Sequence, residues 1–193
     1  MKFFYISPLI LQKLIWIPTR IALFLFGHLD VKGTENLKGI HSNVIFAANH
    51  TSELDPILLP ASLPFFSHFS PIFYASRENK FYNTSGWRQH FYGGFFFKLW
   101  GAHSVYSGFG DYSKALENHM DLLAHGKNVF VFPEGQITPD GSIKEAHGGI
   151  GYLAELLGCH RRTVERGLNE LRQSDSLLPP QRARKKGGGG NAV

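Results

Sequence analysis

Cysteine is almost absent: Cys159 is the only one in 193 residues. No intrachain disulfide can form, so this is not a disulfide-stapled scaffold, and the usage fits a reducing compartment. An excess of charge of one sign is also missing from most of the chain. Residues 1–159 hold 12 basic and 12 acidic side chains, whereas residues 160–193 hold 8 basic and 3 acidic, so the whole surplus of +5 lies in the tail. Attraction to nucleic acid or to anionic lipid through net charge therefore falls on that tail. The apolar N-terminus has no small-residue cleavage site, which argues against a removable signal peptide. No Gly-x-Ser-x-Gly elbow surrounds Ser52, and no covalent nucleophile stands out.

Apolar and aromatic residues are abundant instead. Hydrophobic residues make up 43% of the chain, enough at this length for one domain with its own core. Phe occurs 17 times, with much of the excess between Phe65 and Phe97. Such density serves a Phe-rich core or a greasy surface or tunnel at a bilayer, and the two are compatible. The segment from Phe3 to Leu29 is apolar but interrupted by Lys13, Pro18 and Arg20. A bilayer span needs about 20 predominantly apolar residues. The length is there, with two charges and a mid-segment proline. The expectation is a membrane-embedded or interfacial helical hairpin broken near Pro18. The alternative is a buried helix packed on the domain.

Downstream, strands alternate with helices, which argues for an α/β domain with a mixed central sheet flanked by helices. Strands are expected near Asp30 to Lys32, Val44 to Ala48, Ile72 to Ala75, His103 to Tyr106 and Asn128 to Phe132. A Phe- and Gly-rich connection spans Phe81 to Trp100. One helix starts at Pro56. Another covers Ser113 to His125, with Leu116, Met120 and Leu123 on one face and Gly126 as its C-cap. The chain divides into residues 1–29, an apolar membrane-associated helical segment; 30–158, the α/β domain; and 159–193, a basic tail, helical and then disordered.

Two of the strands run into polar motifs. The first is Asn49-His50-Thr51-Ser52-Glu53-Leu54-Asp55, directly after the apolar run Val44 to Ala48. In a strand-to-helix turn His50 and Asp55 can share one wall of a cleft. A carboxylate that accepts from one imidazole nitrogen sets the tautomer and leaves the other nitrogen as a base. The bland alternative is a polar capping cluster with a surface histidine. The second motif is Phe132-Pro133-Glu134-Gly135, after Asn128 to Val131. Function often lies at the carboxyl ends of strands in open α/β sheets.

With these two blocks the chain resembles the glycerolipid acyltransferases, which acylate lysophosphatidic acid and related lysophospholipids. The family's Asn-His-x-x-x-x-Asp block matches Asn49, His50 and Asp55, and its Phe-Pro-Glu-Gly block matches Phe132 to Gly135. The likeness runs from about Val31 to Gly158. It implies that His50 takes the proton from an acceptor hydroxyl as that hydroxyl attacks an acyl thioester, with Asp55 orienting the imidazole. The donor would be acyl-CoA or acyl-carrier protein, with no bound cofactor and no metal. The acceptor would be a lysophospholipid at the cytoplasmic face of a membrane. Asn49, Ser52, Glu53, Arg77, Ser107, Pro133, Glu134 and Gly135 would bind substrate, with Gly135 allowing close approach.

The departures carry information too. Ser107 and Ile137 stand where the family usually has arginines, whose planar fork suits a phosphate. Arg77, Arg88 or Lys98 could substitute, or the acceptor could lack a phosphomonoester. Beyond Gly158 the family expects a further buried strand, and this chain instead becomes basic. Residues 154–186 resemble a transposase helix-turn-helix fragment, which suggests a gene fusion or frameshift near Gly158. Two further readings follow: an inactive, truncated remnant, and weak nucleic-acid binding through the tail.

Overall fold

The computed structural model describes residues 2–27, 29–41, 43–77, 95–106, 110–138, 140, 142 and 144–158. Among them four strands form one sheet: β1 (Ile45–Ala47), β2 (Ile72–Ser76), β3 (Ala102–Ser104) and β4 (Asn128–Val131). Six α-helices surround it: α1 (Lys2–Phe26), α2 (Asp55–Ser62), α3 (Phe95–Trp100), α4 (Tyr112–Ala115), α5 (Glu117–Ala124) and α6 (Gly149–Leu156). The α/β class is as expected. The mixed sheet narrows to a parallel one over the described strands, in the order β1-β4-β2-β3. Parallel sheets are covered on both faces and their strands read as continuous apolar runs. All four residues of β4 are buried, as that rule requires of a central strand.

Alternation along the strands builds two cores. Ile72, Tyr74 and Phe130 point to one face, where they meet Leu63, Phe69 and Trp100. Phe73, Val129 and Val131 point to the other, against Leu116, Leu122, Leu123 and Leu153. Burial of each such large side chain is worth about 1.5–3 kcal/mol. Asn128 ties the start of β4 to its surroundings: its Nδ2 donates to Phe69 O at 3.0 Å, and its Oδ1 accepts from Val44 N at 3.1 Å. The register Ile45–Val129, Phe46–Phe130, Ala47–Val131 then places the carboxyl ends of β1 and β4 side by side.

The N-terminal segment departs from the expected hairpin. It is one continuous helix of 25 residues with Pro8 and Pro18 inside it. A proline removes one helical hydrogen bond, which bends a helix. Reversing the chain also needs turn residues, and Leu9 to Phe26 contains no Gly, Asn or Asp. The helix packs on the domain along one face. Tyr5 meets Phe73, and Trp16 Nε1 donates to Leu63 O at 2.9 Å. Gln12, 2% exposed, donates to Ile72 O (2.8 Å) and Trp100 O (3.2 Å) and accepts from Ile72 N (3.0 Å). The other face exposes Ile6, Ile10, Leu14, Ile17, Ile21 and Phe24, a stripe at helical spacing. By length and composition, α1 is apolar enough to cross a membrane.

Two smaller expectations also change. Asp30 to Lys32 is not a strand, and the chain there enters a 3₁₀ turn at Thr34–Leu37 through Gly33 at φ 80°. Val31 is exposed, so no apolar face draws this segment onto the sheet. The helix expected over Ser113 to His125 is broken at Leu116, which has φ −112° and ψ 13° and joins α4 to α5. Leu116 and Leu123 are buried as expected, and Gly126 closes the end at φ 71°. Of the Phe81 to Trp100 connection, residues 95–100 form α3 and the rest lies outside the described residues.

Candidate active site

Parallel strands put all their carboxyl ends on one edge of the sheet. The His50 turn leaves β1 there, the Pro133-Glu134-Gly135 turn leaves β4, and Arg77 follows β2. Because β4 lies between β1 and β2, these three segments are spatial neighbours although His50 is 27 positions from Arg77 and 85 from Gly135 in sequence.

The His50 turn is built around one carboxylate. Asp55 opens α2, and its Oδ2 accepts from Thr51 N and Ser52 N, each at 2.9 Å. The same oxygen lies 2.9 Å from His50 Nδ1. An oxygen already accepting from two main-chain N–H groups is an acceptor to the ring as well, so in the neutral imidazole Nδ1 carries the proton and Nε2 keeps its lone pair. The side chains of His50 and Asp55 are 17% and 16% exposed, half-sheltered but open to a ligand. Leu54 N donates to Ser52 Oγ at 3.2 Å, which tightens the turn further.

The turn that begins with Phe132 holds the other side of the imidazole. Phe132 stacks on the His50 ring, with centroids 3.8 Å apart and planes 15° apart. Thr138 donates through its N–H to His50 O at 2.7 Å, with its Oγ1 3.2 Å from the same oxygen. Glu134 is buried at 4% exposure; its Oε2 meets Thr138 Oγ1 at 3.3 Å, and its Oε1 has no hydrogen-bond partner. Gly135 takes φ 64°, and a Cβ there would come 3.1 Å from the His147 ring. His147 N in turn donates to Pro133 O at 2.8 Å. Arg77 reaches across from β2 and donates to Gly135 O from Nε (3.1 Å) and Nη2 (2.7 Å).

The structure thus brings together His50, Asp55, Ser52, Pro133, Glu134, Gly135 and Arg77. Asn49 and Glu53 lie exposed on the same turn. Ser107, Arg88 and the whole tail from residue 159 lie outside the described residues, and the fusion and nucleic-acid expectations with them. Sequence reasoning did not single out three residues now placed at the site: Thr138, His147 and the stacking role of Phe132. Phe132 carried a signal, since it stands in the quoted block. Thr138 and His147 carried none, because their contacts span turns whose path is visible only in three dimensions.

A second histidine pair lies beneath the sheet, away from this turn. His119 on α5 is 0% exposed, and neither ring nitrogen has a hydrogen-bond partner. Its ring lies 6.4 Å from that of His103 on β3. Burial pushes His119 down to about 4 and the neighbouring His103 adds to this, while main-chain groups of Tyr74 and His103 near the ring pull the other way. His103 is lowered in the same direction, first by burial and then by Lys98, against an opposing pull from Asp121. Among the described residues no group of three or more His, Cys, Asp or Glu is placed to hold a metal ion.

The family model described as Acyltransferase matches residues 28–164, well over half of the chain. That span contains the His50 turn, the 132–135 block and every strand of the sheet. No solved structure matches the chain.

Proposed function

The chain belongs to the acyltransferase family, and we propose that it moves a fatty acyl group from acyl-CoA or acyl-carrier protein to a hydroxyl of a lysophospholipid-type acceptor. The observation that carries this reading is the His50–Asp55 pair, with Nδ1 held at 2.9 Å and Nε2 left as a base. The acceptor hydroxyl gives its proton to Nε2 as its oxygen attacks the thioester carbonyl. A new C–O bond forms, the C–S bond breaks, and the proton passes to the leaving thiolate. Asp55 stabilises the imidazolium formed on the way, and the Phe132 face lies against it. General-base catalysis of this kind is worth about 10²–10⁴-fold. Asn49, Ser52, Glu53, Pro133, Glu134 and Gly135 form the substrate-binding surround in this reading. No covalent acyl-enzyme is needed.

Arg77 supports an anionic acceptor. It is exposed beside Gly135, against the Phe132–Gly135 motif, although the two usual arginine positions hold Ser107 and Ile137. Helix α1 supports a membrane location. At about 1.5 Å per residue its 25 residues reach about 37 Å, enough to span. Its inner face is nevertheless bonded to the domain through Gln12 and Trp16, and leaving would orphan buried polar groups at about 1–3 kcal/mol each. The reading is therefore a helix lying in the membrane interface with its outer stripe in lipid, on the cytoplasmic side, where both thioester donors are found.

The test is acyl transfer from labelled acyl-CoA and acyl-carrier protein to a panel of lysophospholipids, with membrane-reconstituted protein beside its His50→Ala variant. Product that depends on His50 is the expected result, with phosphate-bearing acceptors preferred and Arg77→Gln raising their KM. Folded protein that makes no product with any donor would overturn the reading and favour an inactive remnant.

A further inference from the structure

We propose that Thr138 is a positioning residue for His50, a role that rests on the reading of His50 as the base. The ring of His50 is fixed by Asp55 on its edge and Phe132 on its face. Neither contact fixes the main chain from which the ring projects. Regular pairing of β1 with β4 ends at Ala47–Val131, and the last link, Ala48 N to Val131 O, has already stretched to 3.4 Å. Beyond it the two chains diverge into their turns. Thr138 closes that gap. Its N–H reaches His50 O at 2.7 Å and its hydroxyl lies 3.2 Å from the same oxygen, across 88 positions of sequence.

The side chain matters beyond the main-chain bond. Thr138 is 1% exposed, and its hydroxyl also lies 3.3 Å from Glu134 Oε2. One hydroxyl proton serves one acceptor at a time. The Thr138 hydroxyl therefore donates either to the carbonyl of the base or to a buried carboxylate whose other oxygen has no partner. A change in how Glu134 is engaged passes through one O–H to the backbone of His50. Threonine suits this place because its methyl group fills buried space while its restricted χ1 aims the hydroxyl. Serine keeps the hydroxyl but loses that restriction. Valine keeps the shape and loses the hydroxyl.

The experiment compares wild type, Thr138→Val, Thr138→Ser and His50→Ala as membrane-reconstituted full chains. The expected result is a kcat for Thr138→Val lower by about 10–100-fold, the cost of displacing a reacting group by up to an ångström, with acceptor KM within about twofold. Thr138→Ser should recover most of that loss. The accompanying readout is ¹⁵N-histidine NMR. His50 should show a single Nδ1–H tautomer in wild type and Thr138→Ser, and a mixed or broadened signal in Thr138→Val. The NMR arm needs no turnover, so it decides the matter even if the protein proves inactive. A wild-type kcat and an unchanged His50 signal in Thr138→Val would overturn the proposal, as would a loss carried by KM. Full activity in His50→Ala would overturn the function reading instead.

Discussion

Two histidines show opposite ways of placing an imidazole in this fold. His50, at the carboxyl edge of the sheet, is 17% exposed and held on three sides: Asp55 on Nδ1, Phe132 on its face, Thr138 on its carbonyl. His119, under the sheet, is fully buried and has no partner on either nitrogen. Burial alone makes the His119 ring a neutral wedge in a core. Partners without full burial orient the His50 ring and leave its Nε2 side open, which is what the proposed base requires. What separates the two histidines is therefore their contacts as well as their depth.

The comparison breaks most sharply at Asp55. Asp55→Ala removes the acceptor that Nδ1–H shares with Thr51 N and Ser52 N, so the ring proton is free to move to Nε2, where it blocks the base. The expected loss in kcat is about 10²–10⁴-fold, read as initial rates across pH 6 to 9, with acceptor KM little changed. A loss under threefold would mean that the carboxylate does not set the tautomer.

The next effect belongs to His119. Its folded pKa of about 4 lies below the ordinary 6.5, so the unfolded chain takes up the proton first. Stability is then full above pH 6.5 and is lost as pH falls towards 4, by about 3 kcal/mol in all. Urea unfolding at pH 7.5 and pH 4.5 measures it. His119→Leu should remove most of that slope while leaving acyl transfer within about threefold, because it deletes two unpaired buried nitrogens. An unchanged slope would place the acid-labile group elsewhere.

Smallest is Gly135→Ala. It forces a side chain into the left-handed region and sets a Cβ about 3 Å from His147, which should cost about 1–2 kcal/mol in thermal or urea unfolding. Because this turn carries both the Arg77 and the His147 contacts, its strain should lower turnover modestly while the His119 slope stays as it was. A stability equal to wild type would show that the turn relaxes freely.

Much of the fold could be read from local pattern. Val44 to Ala48 and Asn128 to Phe132 are apolar runs that stop at polar motifs, and both became adjacent strands. Asp55 and His50 were legible because their contact closes within one turn. The failures share a physical cause. Pro18 by its own chemistry reads as a break, yet the helix runs on through it, docked by Gln12 and Trp16 before the proline and by Arg20, whose Nη1 donates to Ala61 O at 3.4 Å, after it. The lone Gln in an apolar helix was the available signal for that docking. Leu116 has good helical neighbours, and nothing in its local sequence announces the break there at φ −112°. The Thr138 bonds join positions 88 apart, and no periodicity announces them.

The measurement that tests the account most directly is acyl transfer by His50→Gln and His119→Leu side by side, in the same membranes with the same donor and acceptor. The account predicts a loss of at least about hundredfold for His50→Gln and near wild-type turnover for His119→Leu. Turnover retained in His50→Gln, or lost equally in both variants, would contradict it.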